Sequence, residues 1–474
     1  MNKSKNKSNK TKRILFVLHG FPPNAYGGIE THTFQLAREL SKRYEIFVFT
    51  RVENESKKDF TTYQEDVSGM KVTNVVNNFK WQGNKFTDRF LCKEIDDIFE
   101  NYIKEVKPQL IHIQHLIGLS CNIIDIANNA KIPIILSLHD YWYGCHRLNL
   151  LTNLGTICKN IDDSVNCVEC VLKPNITKAI NSRIISIIKN WYFPRVKRSI
   201  LRKVEQDEII SFTQNLTDSI SNNIKAVISR RFYMSHILSK CQYLICTTKW
   251  VETVYHRFGF DFDNYIVLPP GSNLKTTTDS IESVYQNGNK TFQLGYAGAI
   301  LPHKGIHILL TALEILKDKG YGNDRLKLSI YGKGVDRKYQ DKLDILGEGL
   351  NVEFKGSYKH DDLKVIMSGF DLLVVPSIWN ETYSLIIREA ILCGTPVITT
   401  DLAAQKDGIT NYKSGLLVKP GDPDDLAEKI EYAIITPDFI INAKKHINNF
   451  DIKKIPSTEQ YALDISQIYD ELLK

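Results

Sequence analysis

No stretch of this sequence approaches the ~20 consecutive apolar residues that a membrane-spanning helix needs. The first apolar run, residues 14–18, is too short for the hydrophobic region of a signal peptide, and the basic tail before it (1–13) reads as disordered. The expectation is therefore a cytoplasmic protein. Nine cysteines, an odd number, argue against the disulfide framework of a small secreted domain. The GxGxxG fingerprint of dinucleotide enzymes is missing, which disfavours a nicotinamide enzyme. A net charge of +7 is mild for 474 residues and comes with no zinc-finger or RNA-binding signature, so no nucleic-acid partner is expected. There is no internal repeat.

What is present is length and alternation. At 474 residues and 43% hydrophobic content, two domains with sizeable cores are the default. Short apolar runs (14–18, 46–49, 110–114, 134–137, 243–247, 265–268) alternate with amphipathic or helical stretches such as 30–43 and 92–106. That alternation predicts a doubly wound, mostly parallel sheet. The stretch between 49 and about 90 reads as polar and irregular. A second series begins at 292–296, and residues 371–400 hold its most informative part. There a buried strand (372–375), a Pro-Ser turn, a helix ending near Gly394 and another strand (396–399) follow in order. The unpaired amides at such a helix start, around Ser384, Leu385 and Ile386, make a natural seat for a diphosphate. Glu381 and Glu389 bracket the turn into the helix, and Glu389 is placed to accept hydrogen bonds from vicinal ribose hydroxyls. Two glutamates on a helix usually mean solubility; their setting is what makes them specific.

The run PS-x-W-x-E-x7-EA-x3-G-x-PV resembles the nucleotide-sugar site of the retaining glycosyltransferases of family 4. The resemblance implies the α/β GT-B fold: two Rossmann-like doubly wound domains facing a central cleft. It also implies that Glu381 contacts hydroxyls of the donor sugar, that Glu389 holds the ribose, and that the amides of Ser384–Ile386 hold the diphosphate. Lys304, between a strand and a helix start, would set its ammonium on that diphosphate. Its setting is similar to the family's GR-x4-KG, but the usual arginine is Ala299 here, so one phosphate contact is missing: either another basic group compensates, with Arg388 and Lys333 as candidates, or the donor binds more weakly.

The first half carries a looser likeness. Gly27 and Gly28 stand between a strand and a helix, where glycine lets the backbone approach oxygen closely. They are similar to the family's GG-x-E segment, which faces donor phosphates and acceptor. His139 opens an HDYW run at a strand end, similar to the family's HD segment, which implies a place beside the donor sugar; from position alone a hydrogen-bonded structural histidine is the plainer reading. Cys145, Cys158, Cys167 and Cys170 would suit a structural zinc site, unpaired thiols and a redox pair being the alternatives, and a subset of HDYW-type relatives carries a similar cluster. Residues 171–203 carry nine Lys and Arg, no acidic residue and interleaved apolar side chains. That pattern suits contact with an anionic membrane face, or else a helical insertion with a solvated basic side.

The expected organisation is a first domain over 14–270 with a basic, Cys-rich insertion at 145–240, and a linker at 271–290. A nucleotide-sugar-binding domain at 291–455 would follow, and a last helix in 456–474 would cross back to the first domain. The expected activity is retaining transfer of a sugar from a nucleotide-diphosphate sugar to a saccharide or lipid-linked acceptor in cell-surface polysaccharide or glycoconjugate synthesis, with no cofactor needed for catalysis. His139, Glu381 and Lys304 are the candidate catalytic groups. A sugar-nucleotide epimerase and a non-catalytic glycan-binding or scaffold protein stay open as alternatives.

Overall fold

The computed structural model describes residues 12–78, 86–164, 166–171, 220–274, 291–334 and 336–474. Most of the expected linker and of the basic segment, 275–290 and 172–219, lies outside these residues. The chain divides into two compact units. The first takes in residues up to Leu148, Lys159–Leu268 and Thr458–Lys474; the second takes in Asn149–Cys158 and Pro269–Ser457.

The first unit is built on an eight-stranded sheet in the order β3-β4-β2-β1-β5-β6-β7-β8. Its strands are β1 (Arg13–Leu18), β2 (Glu45–Val52), β3 (Thr62–Val67), β4 (Met70–Val76), β5 (Leu110–Ile113), β6 (Ile134–Leu138), β7 (Tyr243–Cys246) and β8 (Tyr265–Val267). Apart from Arg13 and His112, strands β1, β5 and β6 are apolar or small-residue runs, with nearly every position buried, as befits a sheet covered on both faces. The helices are α1 (Gly28–Leu40), α2 (Lys93–Val106), α3 (Ile123–Asn129), α4 (Asn166–Val171), α5 (Ile220–Leu238) and α6 (Lys249–Arg257). In α2, Ile95, Phe99, Tyr102, Ile103 and Val106 recur at helical spacing and are all buried. Phe99 meets Phe49 of β2 edge-on at 5.1 Å between ring centroids.

Two strands replace part of the stretch expected to be irregular. β3 pairs antiparallel with β4 across a two-residue turn, Ser68-Gly69, both with positive φ (56° and 82°). That is the turn geometry matching the twist of a tight hairpin. As an edge strand β3 is polar, TYQEDV, so it offers none of the apolar signal that marks the central strands.

The C-terminal helix, Thr458–Leu472, groups with the first unit. Tyr461, Ala462, Ile465, Ile468 and Tyr469 join the core formed by β1, β2 and α1. Full burial of a side chain such as Ile465 or Ile468 contributes roughly 1.5–3 kcal/mol. Tyr469 adds a buried polar tie: its hydroxyl lies 2.7 Å from His112 Nδ1, and His112 Nε2 lies 2.9 Å from Ser137 Oγ.

The second unit is a six-stranded, wholly parallel sheet in the order β11-β10-β9-β12-β13-β14. Its strands are β9 (Phe292–Ala297), β10 (Leu326–Tyr331), β11 (Val352–Gly356), β12 (Leu372–Val375), β13 (Val397–Thr400) and β14 (Gly415–Val418). The longer covering helices are α7 (Ile306–Asp318), α8 (Arg337–Leu346), α9 (Leu363–Ser368), α10 (Leu385–Leu392), α11 (Ala403–Lys406), α12 (Pro423–Ile435) and α13 (Pro437–His446). In each sheet the winding reverses once: the chain goes outward from β1 to β2 and β4, then returns to β5 beside β1. It likewise goes from β9 to β10 and β11, then returns to β12 beside β9. Such a reversal leaves a crevice at the carboxyl ends of the two adjacent strands, the usual place for a ligand in an open parallel sheet.

Candidate functional site

At the reversal in the second unit, Lys304 and Glu381 meet. Lys304 ends a short 3-10 turn, Pro302–Lys304, after β9, and Glu381 stands in the loop after β12. Lys304 Nζ donates to Glu381 Oε1 at 2.7 Å, and Ser377 Oγ donates to the same oxygen at 2.6 Å. Gln405 Oε1 accepts from the Glu381 amide at 3.2 Å, while its Nε2 donates to the Trp379 carbonyl at 2.7 Å. Burial alone would raise the Glu381 pKa, but the Lys304 ammonium and the Ser377 hydroxyl outweigh it and hold the carboxyl below its usual range. Lys304 also lies 5.3 Å from the centre of the Trp379 ring.

Gly305 makes this meeting possible. Its φ is +77°, and a Cβ there would stand 1.9 Å from the Pro376 carbonyl oxygen. The turn carrying Lys304 therefore lies directly on the end of β12 where the Glu381 loop begins. Ile378 N donates to the His303 carbonyl at 2.9 Å and ties the same two segments.

Helix α10 starts from Ser384, held at φ 58° and ψ 73°, with no side-chain cap bond. The amides of Leu385 and Ile386, in its first turn, have no partner within the helix. One turn on, Arg388 is buried with its guanidinium over the Tyr383 ring at 4.6 Å. Lys333 is exposed, on a loop whose backbone accepts from Ile300 N at 3.1 Å, next to exposed Ala299. Of the two candidate substitutes for the missing arginine, Lys333 is the one beside Ala299, and Arg388 is folded inward on tyrosine. Glu389 is buried on α10, and its Oε1 lies 2.9 Å from His360 Nε2.

At the reversal in the first unit the side chains are chiefly histidines. His19 follows β1, Gln114 and His115 follow β5, and His139 and Asp140 follow β6. His139 Nε2 and Gln114 Oε1 are 2.7 Å apart. Because the amide oxygen only accepts, the imidazole carries its proton on Nε2 in this contact. Burial and the neighbouring imidazoles push the His139 pKa well below its ordinary value, so the ring is neutral. His32 of α1 stands 5.6 Å from it, ring to ring, and burial lowers the His32 pKa to about 4. Both nitrogens of His32 are buried without a hydrogen-bond partner among the described residues.

Beside this group, His115 accepts from the Ile117 amide on Nδ1 at 3.0 Å and donates from Nε2 to Asp140 at 3.0 Å. His19 Nε2 lies 3.1 Å from Glu30 Oε1. Gly27 is the N-cap of α1 and Gly28 its first residue; a Cβ on Gly27 would meet Glu30 Oε2 at 2.5 Å. The glycine pair thus leaves room for the Glu30 carboxylate to fold back over the helix start.

Of the residues singled out in the sequence, the second unit joins Lys304 to Glu381, and places Ser384, Leu385 and Ile386 at the start of α10 and Glu389 further along the same helix. The first places Gly27, Gly28 and His139 at one sheet end. The partners Gln114, His115, Ser377, His360 and Gln405 were not anticipated. Gln114 and His115 directly follow an apolar strand, which is a readable signal; His360, four residues past β11, carries none. Cys145, Cys158, Cys167 and Cys170 are not joined in disulfides. Among the described residues no three His, Cys, Asp or Glu side chains form a group able to hold a metal. No described helix is long and apolar enough to cross a membrane.

Two family models match the chain: Glycosyltransferase Family 4 over residues 26–161, and Glycosyl transferases group 1 over 278–449. A D-inositol 3-phosphate glycosyltransferase from Corynebacterium jeikeium is 26% identical over 258 residues, 52% of this chain and 61% of that one. The capsular polysaccharide biosynthesis glycosyltransferase CapM from Staphylococcus aureus is 32% identical over 149 residues, 31% of this chain and 37% of that protein. The chain thus spans less than two thirds of the length of either relative. Among solved structures, sucrose-phosphate synthase from Thermosynechococcus elongatus covers 97% of this chain and 99% of its own, with a TM-score of 0.62 at 17% identity. Anabaena HepE in complex with UDP and glucose covers 97% of this chain and 100% of its own, with a TM-score of 0.58 at 16% identity. At such identities the likeness speaks for the fold, two Rossmann-like α/β domains of the GT-B type.

Proposed function

The chain belongs to the group 1, family 4 glycosyltransferases, and from that premise we propose that it moves a sugar, with retention of configuration, from a nucleotide-diphosphate sugar to a saccharide or lipid-linked acceptor. The observation that carries this reading is the Lys304–Glu381 contact of 2.7 Å beside an uncapped helix start. An ammonium has three donors, so one bond to Glu381 leaves others for a diphosphate. The first-turn amides of α10 and the helix dipole add to that seat. In the proposed complex Glu381 accepts from donor-sugar hydroxyls, Glu389 from the ribose, and neutral His139 positions the sugar.

Catalysis then consists of positioning and of stabilising charge on the departing diphosphate, whose own oxygen takes the acceptor proton. The names of CapM and of the inositol-phosphate relative support a hydroxylated acceptor. The name of CapM also supports a role in cell-surface polysaccharide or glycoconjugate synthesis; the cytoplasmic face of the membrane, with residues 171–203 as the contact, is the location that we propose with it.

The test is thermal unfolding with UDP, GDP, ADP and their sugar derivatives, for the wild type and Glu389→Ala. A ligand at ~100 times its dissociation constant stabilises by about 2.7 kcal/mol, a readily visible rise in Tm. A rise with one nucleotide that vanishes in the variant supports the reading. No rise with any nucleotide, in folded protein, favours the non-catalytic alternative to which the exposed Ala299 points.

A further inference from the structure

We infer that His360 is a positioning residue for the nucleoside end of the donor, holding the Glu389 carboxylate in the orientation that receives two ribose hydroxyls. The inference rests on the assignment of Glu389 to the ribose and names a residue that the sequence motifs leave out.

The argument starts from burial. Glu389 has 11% of its side chain exposed and sits inside α10, where a carboxylate without a partner is costly. Its partner comes from a different segment: His360 begins a 3-10 turn, His360–Asp362, between β11 and α9. The Nε2–Oε1 distance is 2.9 Å. Hydrogen bonding to Glu389 raises the His360 pKa against the opposing effect of burial, which marks the contact as charge-assisted. The charges of Glu389 and of Asp361, on the same turn, act in the same direction.

A glutamate side chain has three rotatable bonds, and two vicinal hydroxyls need both of its oxygens in one plane. With one oxygen pinned by His360, that plane is fixed before any ligand arrives. The pinning does not use up the site, because each carboxylate oxygen has two lone pairs. Oε1 can accept from the imidazole and from one hydroxyl, while Oε2 takes the other. His360 touches neither sugar nor phosphate in this scheme, so it acts through Glu389.

The test is isothermal titration of the wild type, His360→Ala, His360→Gln and Glu389→Ala with the nucleoside diphosphate that the wild type binds, and with its 2′,3′-dideoxy analogue. His360→Ala should weaken the ribonucleotide about 10-fold, on the order expected when a hydrogen bond to a charged group is lost. It should leave the dideoxy analogue within about 2-fold, since that ligand has no hydroxyls for Glu389 to receive. His360→Gln, whose amide reaches the same oxygen, should restore most of the affinity. A general structural role would weaken both ligands alike and would overturn the inference. So would a Glu389→Ala loss with no effect of His360→Ala, which leaves the ribose assignment standing. If the wild type binds no nucleotide, the glycosyl-donor reading falls and this inference falls with it.

Discussion

The two units handle charge at their sheet reversals in opposite ways. In the second, a lysine is committed to a buried carboxylate, and the Glu381 carboxyl stays below its usual pKa range. In the first, carboxylates meet histidines instead: Glu30 with His19 at 3.1 Å and Asp140 with His115 at 3.0 Å. The deeper imidazoles there are neutral, His112 being lowered to about 3 and His32 to about 4 by burial. A fixed ammonium is suited to a permanent anion such as a diphosphate. Neutral imidazoles and an amide are suited to hydroxyls, which need acceptors and donors without net charge. Under the proposed function the second unit supplies the anion seat together with the hydroxyl acceptors Glu381 and Glu389, and the neutral groups of the first are suited to hydroxyls alone.

The strongest way to break this contrast is Lys304→Met, which removes the ammonium and keeps the aliphatic stem. Glu381 would then be a buried carboxylate without its countercharge. Partners of buried pairs cost about 3–5 kcal/mol when stripped in this way. With 23% of the Lys304 side chain exposed, the expectation is the low end, about 3 kcal/mol. Urea unfolding at pH 7 measures it, and sugar-transfer activity should be lost even where the protein remains folded. A change below about 0.5 kcal/mol, the usual range for an uninvolved surface position, would show that the contact carries little.

Gly305→Ala attacks the same seat through the backbone. At φ +77° and 1.9 Å from the Pro376 oxygen, an added methyl forces the turn off the end of β12. The expected cost is about 2 kcal/mol from left-handed strain and displacement. The readout that separates it from ordinary destabilisation is nucleotide affinity, which should fall because Lys304 moves away from Glu381. Unchanged affinity in the folded variant would detach the seat from its glycine.

Much of the fold was legible because the central strands are buried on both faces and therefore read as apolar runs. The residues 14–18, 110–114 and 372–375 announce β1, β5 and β12 within a residue or so. The β3–β4 hairpin escaped because an edge strand such as TYQEDV has no buried face to declare it. Lys304, Glu381 and Glu389 were visible as residues in a spaced pattern. What pins them was not: Ser377, Gln405 and His360 reach them through folding of separate segments, over sequence separations of 4, 24 and 29 residues. Only the first of these is local. For His139 the strand-end position was readable, but its neutral state depends on burial and on neighbours from α1 and β5 that no local pattern records.

The smallest and most selective effect concerns that neutral state. His139, His32 and His112 all have folded pKa values below the ordinary histidine value. The unfolded chain binds protons at these positions below about pH 6.5 and the native chain does not, so wild-type stability should fall as pH drops through that range. Gln114→Glu places a carboxylate 2.7 Å from His139 Nε2 if the side chain keeps its place. A bare carboxylate in that buried position is costly, so the native variant should retain one proton between the acid and the imidazole. At pH 8 the unfolded chain holds no such proton. The stability of the variant should therefore fall as pH rises above about 6.5, by up to about 1.4 kcal/mol per pH unit. Above pH 6.5 the wild type should then be nearly level while the variant falls. Denaturant titrations between pH 5.5 and 8.5 decide the point. Parallel pH curves for the two proteins would mean that the introduced acid is not held against His139, and that Gln114 does not set its state.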